Sequence, residues 1–140
     1  MSISKITLYI LLSASLLFSC KKQDEEEIPY APVSIVLYTN DPLLNKVATP
    51  GTWTYISGGV KGILLYRKSM GEFIAYERNS PYQPSKGCAV EVDNSNILVE
   101  DKCSGSKFLI TDGSVSNGPA TKGLKLYNTS FDGTVLNIYN

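Results

Sequence analysis

The 140-residue chain contains no histidine. Without an imidazole there is no proton carrier for a Ser-His-Asp or Cys-His nucleophile, so both kinds of covalent hydrolysis are excluded. Long helical patterns are missing as well, since no segment keeps an apolar period of 3.6 over ten or more positions. Gly58, Gly59 and Gly62 therefore lack the strand-to-helix setting of a phosphate-binding loop and read as turn glycines. There is no excess of positive charge. Thirteen Lys and Arg stand against thirteen Asp and Glu, scattered along the chain, so no basic stripe exists for nucleic acid. Phenylalanine is scarce beside tyrosine, four residues against nine, which predicts half-buried rings whose hydroxyls reach water or polar partners.

One long apolar run is present. Residues 1–4 are short and mostly polar, Lys5 adds a positive charge, and residues 6–18 are apolar apart from Thr7, Ser13 and Ser15. Thirteen residues are too few to span a bilayer as a mature helix, and the pattern over residues 1–19 is that of a secretory signal peptide. It ends Leu17-Phe18-Ser19-Cys20, which resembles the lipobox of bacterial lipoproteins. That resemblance implies that Cys20 becomes the mature N-terminus and carries lipid on its sulfur and its amine. Several acyl chains hold a protein firmly, because each buried methylene contributes about 0.8 kcal/mol. An ordinary secretory signal with a chance cysteine is the alternative.

Asp24-Glu25-Glu26-Glu27 follows closely. Four consecutive acids repel one another and bury nothing, so residues 20–32 read as a solvated tether. The run also resembles the acidic export tag of Bacteroidetes surface lipoproteins, and a plain spacer is the other reading. Removal of residues 1–19 takes Lys5 and no acid, leaving 13 − 1 = 12 basic residues against 13 acidic ones, a net charge of −1. The expected location is the bacterial cell envelope, lipid-anchored at the outer membrane on its periplasmic or its surface face. The membrane is then one partner, through the lipid.

With Cys20 set aside, Cys88 and Cys103 remain, and an even pair in an exported chain predicts a disulfide. It would enclose 103 − 88 − 1 = 14 residues. Closing a loop of that size stabilises a fold by about 3 kcal/mol in the chain-entropy model. For a segment as small as residues 33–140 that is a large share of the total. A redox role for the pair competes with the structural one. It has no Cys-x-x-Cys and no histidine to draw on, only Lys86 and Lys102 nearby in sequence.

Strand signals fill residues 33–140. Residues 33–38, 53–56, 63–67, 73–77, 89–92, 97–100, 108–110, 124–129 and 135–139 are rich in β-branched and aromatic residues and are separated by turn signals. Hairpins are expected around Met70-Gly71, around Asp93-Asn94-Ser95-Asn96 and around Phe131-Asp132-Gly133, the last with Asp-Gly suited to a type I′ turn. Asp41-Pro42-Leu43-Leu44-Asn45 predicts one helical turn with Asp41 as N-cap and Pro42 at the first position. Many short strands make an all-β sandwich or barrel.

Asp101-Lys102-Cys103-Ser104-Gly105-Ser106-Lys107-Phe108 resembles the second ligand box of Rieske iron–sulfur proteins, Cys-x-x-His-Gly-Ser-x-Phe. Gly118-Pro119-Ala120 is similar to the proline loop that covers the cluster in that family, and Gly87-Cys88-Ala89-Val90 to the end of the first box. Cys103 stands where the second box has its bridging cysteine. The resemblance covers nearly all of residues 33–140. It implies an antiparallel β-sandwich or incomplete barrel with a small loop subdomain.

The family's [2Fe–2S] centre needs two cysteines on one iron and two histidines on the other. In the second box the ligands fall on Asp101 and Ser104. Counting back from Cys88 puts the first-box pair on Gln83 and Ser85, whereas anchoring on Pro81 puts it on Ser80 and Tyr82. Neither register holds a cysteine or histidine. The expectation is a degenerate member without its cofactor, in which the Cys88–Cys103 bridge replaces the cluster. Zinc held by both thiolates together with Asp101 and Gln83 is an alternative open only to the reduced pair.

The functional expectation is a non-enzymatic envelope lipoprotein, a binding or accessory component, with Tyr82 and Pro119 at the former cluster tip as contact surface for an envelope protein or a glycan. Electron transfer through a [2Fe–2S] centre and thiol–disulfide exchange are the alternatives. Glu91, Asp93, Glu100 and Asp101 gather around one predicted hairpin and read as solvated carboxylates, a glycosidase-like pair being the rarer case.

Overall fold

The computed structural model describes residues 26–140, so the signal peptide, Cys20 and the start of the acidic tether lie outside the described residues. In chain order the elements are β1 (Ser34–Tyr38), α1 (Pro42–Asn45), β2 (Trp53–Ile56), β3 (Ile63–Ser69), β4 (Glu72–Glu77), β5 (Glu91–Val92), β6 (Leu98–Glu100), β7 (Lys107–Leu109), β8 (Val115–Asn117), β9 (Leu126–Phe131) and β10 (Val135–Tyr139). A six-stranded sheet runs β1-β10-β9-β4-β3-β2, and a four-stranded sheet runs β5-β6-β7-β8. Every pairing is antiparallel. No helix among the described residues is long and apolar enough to cross a membrane.

Local chemistry accounts for the element ends. The Asp41 carboxylate accepts the Leu43 N–H at 2.8 Å and Pro42 opens α1, as the sequence predicts. The β9–β10 turn departs from expectation. A type I′ turn needs positive φ at both central residues, and here only Gly133, at +97°, has it. The Asp132 side chain instead accepts the N–H groups of Thr134 and Val135, both at 2.8 Å, and closes the turn with positive φ at Gly133 alone.

Strand β3 explains its own sequence. Ile63 and Leu65 face one apolar cluster, Leu64 and Tyr66 another, so an unbroken apolar run is what this strand requires. Phe73 and Ala75 of β4 join the first cluster, Ile74 and Tyr76 the second. The first cluster also holds Leu37 of β1 and Ile56 of β2, from the two opposite edges of the sheet. Edges meet in one core only if the sheet curls. Gly58 marks the closure: a Cβ there would stand 3.0 Å from Ile35 Cδ1 and 3.1 Å from Ile63 Cδ1. The result is an incomplete barrel.

The second cluster fastens the small sheet onto β2–β4. Val90, Val99, Phe108 and Ile110 are buried there against Leu64 and Tyr76. Each such side chain contributes about 1.5–3 kcal/mol relative to leaving it exposed.

Candidate functional site

Three loops meet at one end of the small sheet. The first, residues 78–90, joins β4 to β5 and is closed at its base by pairing of Asn79 with Ala89 and by the Ser80 N–H donated to the Cys88 carbonyl at 2.8 Å. The second, residues 101–106, joins β6 to β7. The third, residues 118–125, joins β8 to β9. Cys88 and Cys103 are disulfide-bonded, with Cα atoms 6.4 Å apart, and tie the first loop to the second. A curled sheet carrying a smaller one, with linked loop tips beside a Gly-Pro loop, is the incomplete barrel with a small loop subdomain that was expected.

Asp101 organises all three loops. It is 1% exposed, so the expectation of a solvated hairpin carboxylate is corrected. Its Oδ2 accepts the Ser80 hydroxyl and the Ser104 hydroxyl, both at 2.7 Å, and its Oδ1 accepts the Cys103 N–H at 2.9 Å. Ser104 Oγ also bonds Ser106 Oγ at 2.9 Å, and Ser106 Oγ accepts the Ala120 N–H from the third loop at 3.0 Å. On the other side Ser80 Oγ accepts the Tyr82 N–H at 3.1 Å. Ser80 and Ser106 are buried like Asp101. A buried carboxylate is tolerable only with such donors around it.

Of the two registers for the first box, the structure joins Ser80 to Asp101 and Ser104, and brings Tyr82 to Ser80. Gln83 and Ser85 do not enter this network. The reason is local. Gln83 takes a left-handed conformation, φ +49°, and starts a 3-10 turn over Pro84–Lys86 that carries Ser85 to the surface. Ser85 there bonds Glu26 rather than the loop tip. Tyr82 is half-buried and packs against the second core, while Pro119 is exposed.

These residues do not fit a [2Fe–2S] cluster. Such clusters are held by thiolates and, on the Rieske type's second iron, imidazoles. The positions in question offer hydroxyls, one phenol and one carboxylate, and that carboxylate already accepts three hydrogen bonds. The sulfurs of Cys88 and Cys103 lie with an Asp101 oxygen inside a 4.8 Å group, the one arrangement among the described residues with metal-ligand chemistry. Bonded to each other, those sulfurs offer no thiolate.

A second buried carboxylate lies just behind the first loop and was not singled out in the sequence. Glu77, fully buried, accepts hydrogen bonds from Tyr127 Oη at 2.6 Å, from the N–H groups of Val60 and Asn79 at 2.7 Å, and from the Lys61 N–H at 2.9 Å. Burial pushes its pKa up, but these donors, Tyr127 foremost, outweigh it and hold the carboxyl below the ordinary glutamate value. Gly59 makes the cradle possible: a Cβ there would lie 2.3 Å from Glu77 Oε2 and 2.6 Å from Tyr127 Oη. The signal was legible in outline, as a charged residue ending the apolar strand β4 and a Gly-Gly turn ahead of β3. Neighbouring Arg78 stacks on Tyr55, 3.8 Å from the ring centroid, and donates to the Val90 carbonyl.

No family model and no curated protein matches the chain. Solved structures similar to it include two from electron-transfer systems by their titles. One is a ferredoxin of carbazole 1,9a-dioxygenase from Nocardioides aromaticivorans IC177, at 17% identity and a TM-score of 0.46, over 78% of this chain and 97% of that one. The other, described as the small subunit of an NADH-dependent nitrite reductase from Mycobacterium tuberculosis, shows 14% identity and a TM-score of 0.45, over 78% and 96%. At these values neither likeness speaks to function. The chain is all-β, with two antiparallel sheets and a disulfide-tied loop tip.

Proposed function

We propose that this is a lipid-anchored protein of the bacterial cell envelope whose Rieske-like domain has given up its cluster and serves as a non-enzymatic binding or accessory component. The observation that carries the reading is the Asp101 network. Two hydroxyls and a backbone N–H from the first two loops converge on one carboxylate, beside a disulfide, where cluster ligands would be required, and Ser106 ties in the third loop through the Ala120 N–H. With Asp101 held by its own loops and both cysteines in the disulfide, the tip presents no thiolate or imidazole to a cluster, and its outer surface is left for contact, Pro119 and the exposed part of Tyr82 included. An envelope protein or a glycan is the partner this surface suits.

The test is direct. Purified protein is assayed for iron and acid-labile sulfide and its visible spectrum is recorded. A colourless, iron-free protein is expected, and stoichiometric iron with visible absorption overturns the reading. Redox titration of the cysteine pair separates a structural bridge from an exchange catalyst, since structural bridges lie below about −300 mV.

A further inference from the structure

We propose that the disulfide tip faces the membrane, beside its lipid headgroups, rather than pointing away from it, so that the partner met by Tyr82 and Pro119 is one lying at the membrane surface. The proposal rests on the lipoprotein reading of Cys20, and two independent features of the described residues support it.

The first is where the chain enters. Strand β1 pairs Ser34 with Tyr139 and Tyr38 with Val135, and β9 begins opposite Tyr76 near the end of β4. Following the antiparallel order across the sheet, the start of β1 lies at the end where β3 begins and β4 runs into the first loop. The residues before β1 then continue toward the tip. The Asn140 side chain accepts the Val33 N–H at 3.1 Å and donates to the Ala31 carbonyl at 2.7 Å. Glu27 pairs with Lys122 of the third loop at 3.5 Å. Glu26 accepts the Ser85 hydroxyl at 2.8 Å and the Ser85 N–H at 3.2 Å, on the first loop. The segment is thus a strap across two of the three tip loops. Cys20 stands 26 − 20 = 6 positions before Glu26. Six residues reach about 20 Å at full extension. Strand β3, seven residues long, puts the opposite end of the sheet about 23 Å further off. With the strap docked, the tip is the end nearer the lipid.

The second feature is charge. Lys86 and Lys102 flank the two cysteines, Lys122 lies on the third loop, and the Lys61 side chain runs across Gly87, its Cε 2.9 Å from where a Cβ would be. Acids at this end are Glu26 and Glu27, Glu91, which pairs with Lys102 at 2.8 Å, Glu100, which pairs with Lys107 at 3.8 Å, and the buried Asp101 and Glu77. The opposite end carries Asp41, Glu72 and Asp132, with Lys46 and Lys68. Lysines on all three tip loops beside the anchor suit an anionic headgroup layer, and an acidic end away from it avoids one.

The experiment uses isotope-labelled, full-length lipidated protein in nanodiscs of phosphatidylethanolamine and phosphatidylglycerol doped with a gadolinium-chelating lipid. Amide signals of residues 85–87 and 122 are expected to broaden several-fold more than those of 70–71 and 132–133. Equal or reversed broadening overturns the orientation. Intact mass of the same sample reports acylation of Cys20 separately, and its absence removes the anchor and the proposal with it. In the Glu26→Ala/Glu27→Ala variant, still acylated, the contrast between the two ends is expected to shrink, and an undiminished contrast overturns the role of the strap.

Discussion

Ser80 Oγ donates to Asp101 Oδ2 at 2.7 Å across 21 positions of chain, and this bond joins the first loop to the second beside the disulfide. Replacing Asp101 with Ala strands two hydroxyls and the Cys103 N–H. The expected cost is about 3–5 kcal/mol, against about 1–3 kcal/mol for Ser80→Ala, which leaves the carboxylate two of its donors. Denaturant unfolding of both variants and of the double variant checks this. Fully additive losses would show that the two side chains are not coupled.

The disulfide is expected to contribute about 3 kcal/mol. Cys88→Ser combined with Cys103→Ser should lower the melting midpoint by roughly 10 °C or more. An unchanged midpoint would leave the bridge without a structural role.

Glu77 gives the fold an acid limit. Its folded pKa lies below the ordinary value of 4.5, so the unfolded chain takes up the proton first as pH falls. The stabilisation is complete above that value, shrinks as pH drops through it and is gone below the lower folded pKa. The melting midpoint is therefore expected to fall on acidification below about pH 4.5, and less steeply in Glu77→Gln, which lacks the titrating group. Parallel acid profiles for the two proteins would contradict this assignment.

Gly59 tests the same cradle from the backbone side. Its φ of +63° and the 2.3 Å gap to Glu77 Oε2 leave no room for a methyl group. Gly59→Ala is expected to cost several kcal/mol by both routes, about 1–2 of them from the left-handed backbone alone. Gly51→Ala, where φ is +86° and nothing lies within 4 Å of the added carbon, carries only the backbone part. Equal melting midpoints for the two variants would mean that the cradle is not tight.

Much of the fold was legible because its chemistry is local. The Asp41-Pro42 cap, the hairpin at Met70-Gly71 and the apolar run of β3 depend on neighbours in sequence, and all stand where the pattern placed them. Strand β8 was not anticipated, since Val115 is its only partly buried side chain and three residues make no period. The site was legible in its parts. Asp101 and Ser104 were named from the second box, but the choice between Ser80 and Gln83 turns on how the first loop bends, and a left-handed Gln83 leaves no mark in composition. Asp101 read as solvated for the same reason: its partners arrive from 21 and 3 positions away, and only the first of these distances carries the loop-to-loop contact.

Strands β3 and β4 wall off the barrel interior on one side and the seat of the small sheet on the other. Loosening either compartment strips support from the partition that both lean on. Heating or denaturant should thus give one sharp transition instead of two, and amide protons in Ile63–Tyr66 should be among the last to exchange with solvent.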